Sequence, residues 1–231
     1  MKTLVVIPAR FKSTRLPGKP LAIIGNKPMI QHTWERVRKS KADHIIIATD
    51  SKLIYETAIG FGANVILTPE CETGTDRVIY VHNQTQYDII VNVQGDEPFI
   101  NPIDIDIIVE LVKSNLNSVA TLKTDLIENE ALDPNAVKIL TDKNGLAVMF
   151  TRSSAYSKTD FIFKHIGIYG YSAGVLDKIS KLKQSENSIK NSLEQLTWLD
   201  NGINIISKFT EYKSFGVDTP EDLLRANKMY K

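Results

Sequence analysis

The stretch Leu4-Val5-Val6-Ile7-Pro8-Ala9-Arg10-Phe11-Lys12-Ser13-Thr14-Arg15-Leu16-Pro17-Gly18-Lys19-Pro20-Leu21 changes character at Pro8. Leu4 to Ile7 is short, continuous and apolar, and reads as a buried strand. After it comes a loop punctuated by Pro and Gly, and then a helix marked by Met29, Ile30, Thr33, Trp34 and Val37 at helical spacing. Strand, charged loop, helix is the opening of a βαβ unit, and the rest of the chain tests that reading.

Working outward, the alternation continues. Ile45 to Ala48 reads as a strand, Lys52 to Phe61 as a helix that Gly62 can end, and Val65 to Leu67 as a strand. A helical run at Asp76 to Val81 precedes a strand at Ile89 to Val93. Ile103, Ile107, Ile108, Leu111 and Val112 mark a helix before a strand at Val119 to Leu122. Such alternation predicts an α/β fold: a Rossmann-like, mainly parallel sheet with helices on both faces. Near Pro134 the pattern changes. Val137 to Thr141 and Leu146 to Phe150 flank Asp142-Lys143-Asn144-Gly145, a hairpin signal. Further on come a strand at His165 to Tyr171 and a helix at about Val175 to Leu182. One amphipathic helix then carries Ile189, Leu193, Leu196 and Leu199 and closes at Gly202, before a strand at Asn204 to Phe209. Thr219-Pro220-Glu221-Asp222 is a helix start, with Thr as N-cap, Pro in the first position and acids in the first turn. The region after Pro134 reads as a small subdomain grafted on one sheet, so the 231 residues form a single domain.

Composition narrows the function. Hydrophobic residues make up 42% and charged residues 24%, ordinary values for a globular protein. No apolar run approaches ~18 residues, and residues 1–8 lack the long apolar core of a signal peptide, so no membrane segment and a cytoplasmic setting are expected. Cys71 is the only cysteine. It sits between Glu70 and Glu72, whose charge disfavours a nucleophilic thiolate. The net charge of +1 hides an asymmetry: residues 1–39 hold nine Lys/Arg against Glu35 alone, leaving 19 of 28 basic and 26 of 27 acidic residues elsewhere. Arg36, Arg38 and Lys39 fit a solvated helix face. A nucleic-acid surface is not expected, because no aromatic residues interleave with the basic group.

Three loops carry the chemistry, each after an expected strand, where open parallel sheets bind ligands. In the first, backbone N–H groups around Ser13, Thr14 and Gly18 join Arg10, Arg15 and Lys19 in a positive cradle suited to a triphosphate. Arginine can grip phosphate bidentately, and Lys19 can act as a compact charge beside the reacting phosphate. The glycine spacing, and the proline after the lysine, exclude a Walker A loop. The second loop, Gln94-Gly95-Asp96-Glu97-Pro98, ends an apolar strand with an acidic pair. Asp96 there could hold Mg²⁺, which takes oxygen ligands and bridges phosphates, and Gly95 would allow close approach to a ligand. In the third, Thr219, Glu221 and Asp222 are accounted for by capping, which leaves Asp218 as the second metal carboxylate. Each loop also has a plainer reading: an exposed basic loop, a simple turn, and a helix cap.

Taken together, these segments resemble the 3-deoxy-manno-octulosonate (Kdo) cytidylyltransferase family. The resemblance rests on Ile7-Pro8-Ala9-Arg10, Ser13 to Leu21, Ala48-Thr49-Asp50, Gly74-Thr75-Asp76-Arg77, Asn92 to Pro98, Pro134 to Lys138, His165 to Tyr171, Leu193-Glu194-Gln195-Leu196 and Val217 to Asp222. These occur in the family's order across nearly the whole chain. It implies that Ala9, Arg10, Ser13, Arg15, Lys19, Thr75, Asp76, Arg77 and Gln94 bind CTP, and that Asp96 and Asp218 hold Mg²⁺, with Lys19 alongside them in catalysis. Gln94, Lys138, Arg152, His165, Tyr169, Glu194 and Gln195 would face the sugar. Residues of about 1–133 and 210–231 would form the nucleotide- and metal-binding core, and about 134–209 a sugar-binding and dimerisation subregion of a homodimer. The product would enter lipopolysaccharide synthesis.

On local grounds, His165 could equally be a satisfied structural histidine, and Glu194 and Gln195 solvent-facing helix positions. His32, His44 and His82 read as structural or exposed. The second half also departs from the family pattern. No proline lies between Pro134 and Pro220, the segment from Thr151 to Lys164 is short, and Thr197 stands where arginine is usual. Kdo, 8-amino-Kdo and a sialic-type acid therefore all stand as acceptors, while a nucleotide-sensing protein without catalysis is a separate alternative.

Overall fold

A computed structural model describes residues 1–13, 15–156 and 161–230. β1 (Thr3–Ala9) leads to a two-strand ribbon, β2 (Ile23–Ile24) and β3 (Lys27–Pro28), and then to α1 (Met29–Val37), β4 (His44–Thr49) and α2 (Lys52–Gly60). β5 (Val65–Leu67), α3 (Gly74–His82), β6 (Ile89–Val93) and α4 (Pro102–Ser114) continue the alternation. Next come β7 (Val119–Thr124), α5 (Glu128–Leu132), β8 (Lys138–Thr141), β9 (Ala147–Thr151) and β10 (Ile162–Ser172). α6 (Ala173–Ile179), α7 (Glu186–Asn191), α8 (Gln195–Asp200), β11 (Ile205–Phe209) and α9 (Pro220–Met229) complete the order. The chain divides into two compact units, Met1–Asp106 with Ser214–Lys231, and Ile107–Lys213.

The first unit holds a sheet in the order β6-β1-β4-β5, parallel throughout. Every residue of β1 and β6 is buried, which is why both read as continuous apolar runs and not as alternating ones. Each buried Leu, Ile or Val contributes about 1.5–3 kcal/mol. Because the strands run the same way, the loops after β1, β4, β5 and β6 all leave from one edge of the sheet. The helices that follow are capped from the sequence. α3 and α9 each begin with a reciprocal capping box, Thr73 with Asp76 and Thr219 with Asp222, and Pro220 opens α9; such caps are worth ~1 kcal/mol.

The second unit mixes directions. β11 runs parallel to β7, while β7–β10, β10–β8 and β8–β9 are antiparallel. The expected hairpin is present as β8–β9. Its turn is held by the Asp142 carboxylate, which accepts from the backbone N–H of Asn144 and Leu146, both at 2.8 Å. The single amphipathic helix expected over Ile189 to Leu199 is instead two helices, α7 and α8. The chain breaks at Ser192, which adopts left-handed φ of 51°. An unbroken helix would put Ile189 on the face of Leu193 and Leu196; with the break, Leu193, Leu196 and Trp198 are buried and Ile189 is exposed. The α/β, Rossmann-like organisation read from the alternation is otherwise present. No helix among the described residues is long and apolar enough to cross a membrane.

Candidate active site

In the first unit, three segments far apart in sequence close on one point. Lys19 Nζ donates to Asp96 Oδ2 and, at 2.8 Å, to Asp218 Oδ1. Arg15 pairs with the other oxygen of Asp218 at 3.1 Å. The backbone dictates this convergence. Gly95 N–H donates to the Pro8 carbonyl at 3.2 Å, fastening the Asp96 loop onto the end of β1. A Cβ on Gly95 would lie 2.9 Å from that carbonyl oxygen and 3.1 Å from Ile30. Close approach is thus the reason for this glycine, but to the backbone of β1, where a ligand had been expected. Val217 N–H in turn donates to the Asp96 carbonyl at 2.9 Å, which brings Asp218 alongside. Beneath them Ile24, Met29, Val217 and Ala226 form a small core with Phe99 and Phe215, whose rings stack at 4.9 Å.

The electrostatics are those of a cation site. Burial disfavours the charged form of Lys19, but Asp96 and Asp218 outweigh it and hold the ammonium above its ordinary pKa. Two carboxylates converging on one positive charge supply the hard oxygen donors that Mg²⁺ prefers. Among the described residues no group of three or more His, Cys, Asp or Glu could hold a metal. Asp96 and Asp218 would therefore be a partial ligand set, of the kind completed by water and phosphate oxygens.

The rest of the basic loop differs in detail from the expected cradle. Gly18 N–H donates to Phe11 O, Lys19 N–H to Leu16 O, and Leu16 N–H to Ser13 Oγ. These donors shape the loop and are not turned outward. Thr14 lies outside the described residues. Arg10 is exposed just beyond β1, and Ala9 is buried at its end.

Near α3, Gln94 lies against Gly74, where a Cβ would be 3.2 Å from its side-chain amide, and Gln94 Nε2 donates to Asn92 Oδ1 at 3.0 Å. Thr75 Oγ1 and Asn92 Nδ2 are buried without a hydrogen-bond partner. The Asp76 carboxylate is engaged in the α3 capping box. Arg77 is 2% exposed; it pairs with Asp50 at 2.9 Å and with Thr68 Oγ1, joining the loops after β4 and β5.

In the second unit the expected sugar residues fall into two groups. His165 and Tyr169 are buried with ring centroids 5.4 Å apart, and Tyr169 meets Trp198 edge-on at 5.0 Å. Burial, and then the nearby Glu194 charge, raise the Tyr169 pKa well above its ordinary value. Glu194 is half-buried at the start of α8, and Gln195, for which a solvent-facing helix position was the plainer alternative, is 3% exposed. The second group sits by the hairpin. Lys138 Nζ donates to the carbonyls of Asp133 at 2.7 Å and Arg152 at 3.2 Å, while Arg152 Nη1 donates to those of Pro134 and Asn135. Burial pulls the Lys138 pKa down. Thr197 is buried, and its hydroxyl accepts from Ser185 N–H at the start of α7 at 3.1 Å.

Two polar residues, Asn92 beside Gln94 in the first unit and Thr121 beside His165 in the second, were not singled out as site residues from the sequence. Asn92 had a signal, an amide inside the apolar run Ile89 to Val93. Thr121 had none, since threonine is ordinary in a strand.

Comparison with known proteins agrees with this geometry. Residues 4–208 match the model of a family described as cytidylyltransferase. A 3-deoxy-manno-octulosonate cytidylyltransferase of Thermodesulfovibrio yellowstonii is 43% identical over 99% of this chain and 98% of its own length. One from Solibacter usitatus is 44% identical over 100% and 95%. The solved structure of a CMP:2-keto-3-deoxy-manno-octonic acid synthetase complexed with CTP superposes with a TM-score of 0.93 at 36% identity, covering 99% of this chain and 98% of that one. With its parallel sheet, its basic first loop and its full-length relatives, the chain belongs to the cytidylyltransferase family.

Proposed function

We propose that this protein transfers the cytidylyl group of CTP to Kdo, giving CMP-Kdo and pyrophosphate. The observation that carries the reading is the convergence of Lys19 and Arg15 with Asp96 and Asp218 at the exit of a parallel sheet. The names of the relatives support Kdo as the acceptor.

The reaction is an in-line displacement. The anomeric hydroxyl oxygen of the sugar acid forms a bond to the α-phosphorus of CTP, the bond from that phosphorus to the bridging oxygen breaks, and pyrophosphate leaves. Arg10, Arg15 and Lys19 hold the triphosphate and take up the charge that builds on the leaving group. Asp96 and Asp218 would hold Mg²⁺, which when bound neutralises phosphate charge and favours loss of the hydroxyl proton. Thr75 and Asn92, with buried unpaired polar atoms beside Gln94, are groups prepared to meet the nucleoside. His165 and Tyr169, with Glu194 and Gln195, receive the sugar hydroxyls, and Arg152 its carboxylate. With its pKa pushed down to about 3, His165 is a weak general base at neutral pH. The reading brings with it a cytoplasmic homodimer serving lipopolysaccharide synthesis; sedimentation velocity tests the dimer.

The deciding experiment follows pyrophosphate release from CTP and Mg²⁺ with Kdo, with 8-amino-Kdo, and with no sugar. Release with Kdo is expected. Release with the amino analogue alone would move the specificity, and none with either sugar would favour a nucleotide sensor.

A further inference from the structure

Thr121 lies in β7, fully buried. Its hydroxyl has three polar neighbours: His165 Nε2 at 2.9 Å, the Ile168 carbonyl at 2.8 Å and the Ile166 carbonyl at 3.3 Å. A threonine hydroxyl has one proton and two lone pairs. Carbonyl oxygens can only accept, so the proton goes to Ile168, the nearer of the two. The hydroxyl therefore presents a lone pair to His165, and the imidazole must supply the hydrogen for that contact from Nε2. Burial pushes the ring's pKa down to about 3, so near pH 7 it carries one hydrogen, and Nδ1 is a bare acceptor.

The two carbonyls flank an irregularity in the strand pairing. Ile166 of β10 faces Leu122, but Tyr169 faces Thr121, so Gly167 and Ile168 are extra residues on β10. In a regular strand, positions four apart lie about 13 Å from each other. Here His165 and Tyr169 have ring centroids 5.4 Å apart. A bulge that bends the strand and re-aims its side chains accounts for the difference, and the Thr121 hydroxyl is bonded inside it.

We propose that Thr121 is a positioning residue of the sugar site. Its hydroxyl fastens the bulge that sets Tyr169 beside His165, and it holds the His165 ring with hydrogen on Nε2 and a lone pair on Nδ1. His165 then meets the acceptor as a hydrogen-bond acceptor for a sugar hydroxyl. This rests on the reading of His165 as a sugar contact.

The test has two parts. Long-range ¹H–¹⁵N correlation of the free wild-type enzyme should show the Nε2–H tautomer at His165; an Nδ1–H tautomer overturns the proposal without any substitution. Thr121→Val removes the hydroxyl at nearly constant shape, and Thr121→Ser restores it. The valine variant should mix the tautomers and raise the KM for the sugar by about tenfold, with the KM for CTP unchanged, and serine should recover both. A valine variant with wild-type tautomer and sugar KM would overturn it. Failure of the wild-type enzyme to use any sugar would instead remove the reading beneath it, while the tautomer is scored independently.

Discussion

The two units place their polar groups in opposite ways. In the first, the charged residues stand in loops beyond the ends of buried parallel strands. Lys19, Asp96 and Asp218 keep side-chain exposures of 15%, 25% and 39%. In the second, the polar groups lie within the elements themselves: His165 and Tyr169 along β10, Gln195 in α8, Lys138 at the start of β8, each less than a tenth exposed. Groups of the first kind can exchange one another for a highly charged ligand. Those of the second are fixed by packing and suited to reading the shape and hydroxyl pattern of a sugar ring. Under the proposed function, unit one would carry the chemistry and unit two the choice of acceptor.

That division breaks if the wrong kinetic constant moves. Asp96→Asn should lower kcat by roughly 10²–10³-fold, the usual cost of losing one group aimed at transition-state charge, with little change in thermal stability. His165→Gln should act chiefly on the KM for the sugar. Near-normal turnover in the Asp96 variant would remove its role as a metal ligand, and a comparable kcat loss in the His165 variant would erase the contrast between the units.

A smaller effect tests how the first unit builds its site. Gly95→Ala places a methyl 2.9 Å from the Pro8 carbonyl, a backbone atom that cannot swing away. The expected cost is about 1–3 kcal/mol, or a melting temperature lower by roughly 3–10 °C in a chain of this size. An unchanged melting curve would mean that the loop and β1 are not locked together.

The same contrast explains what could be read from the amino acids. The sheet of the first unit, the Thr219 cap and its three loops were legible because each signal is local; the Thr73 cap of α3 was not read. An apolar run, a Thr-Pro-Glu-Asp start or an acidic pair after a strand means much the same wherever it occurs. Even there, the partners of Gly95 and Arg77 were hidden, because both are set by strands distant in sequence. In the second unit the resemblance named His165, Tyr169 and Gln195, but no spacing rule showed that they were buried. Periodicity joined α7 to α8 because Ile189, Leu193 and Leu196 fit one helical stripe; the left-handed turn at Ser192 breaks that stripe, burying Leu193 and Leu196 and leaving Ile189 exposed. The β10 bulge leaves no mark in the sequence beyond Gly167.

Lys138 separates a structural from a recognition role within the second unit. Lys138→Met leaves the Asp133 and Arg152 carbonyls without their buried donor, a loss of about 1–3 kcal/mol in stability. Measured by urea denaturation, that loss should come with a sugar KM close to wild type. A large rise in KM at unchanged stability would return Lys138 to direct contact with the sugar carboxylate.

The smallest expected effect concerns protons. The unfolded His165 titrates near 6.5, and burial lowers the folded value to about 3. Above pH 6.5 the ring is neutral in both states and its contribution to stability is full. As the pH falls below 6.5 the unfolded chain takes up a proton that the folded chain refuses, so stability is lost progressively towards pH 3. Between pH 7.5 and 5.5 this amounts to roughly 1 kcal/mol. Lys19 has the opposite sign: its folded pKa is raised, so its contribution is present at low pH and fades only in strongly alkaline solution. The first unit's lysine is therefore silent in the window where the second unit's histidine responds. Urea denaturation of wild type and His165→Asn at the two pH values should show a shallower pH dependence in the variant, by about that amount. Equal slopes would mean that His165 accepts a proton in the folded protein, and that the interior of the second unit is wetter than its packing indicates.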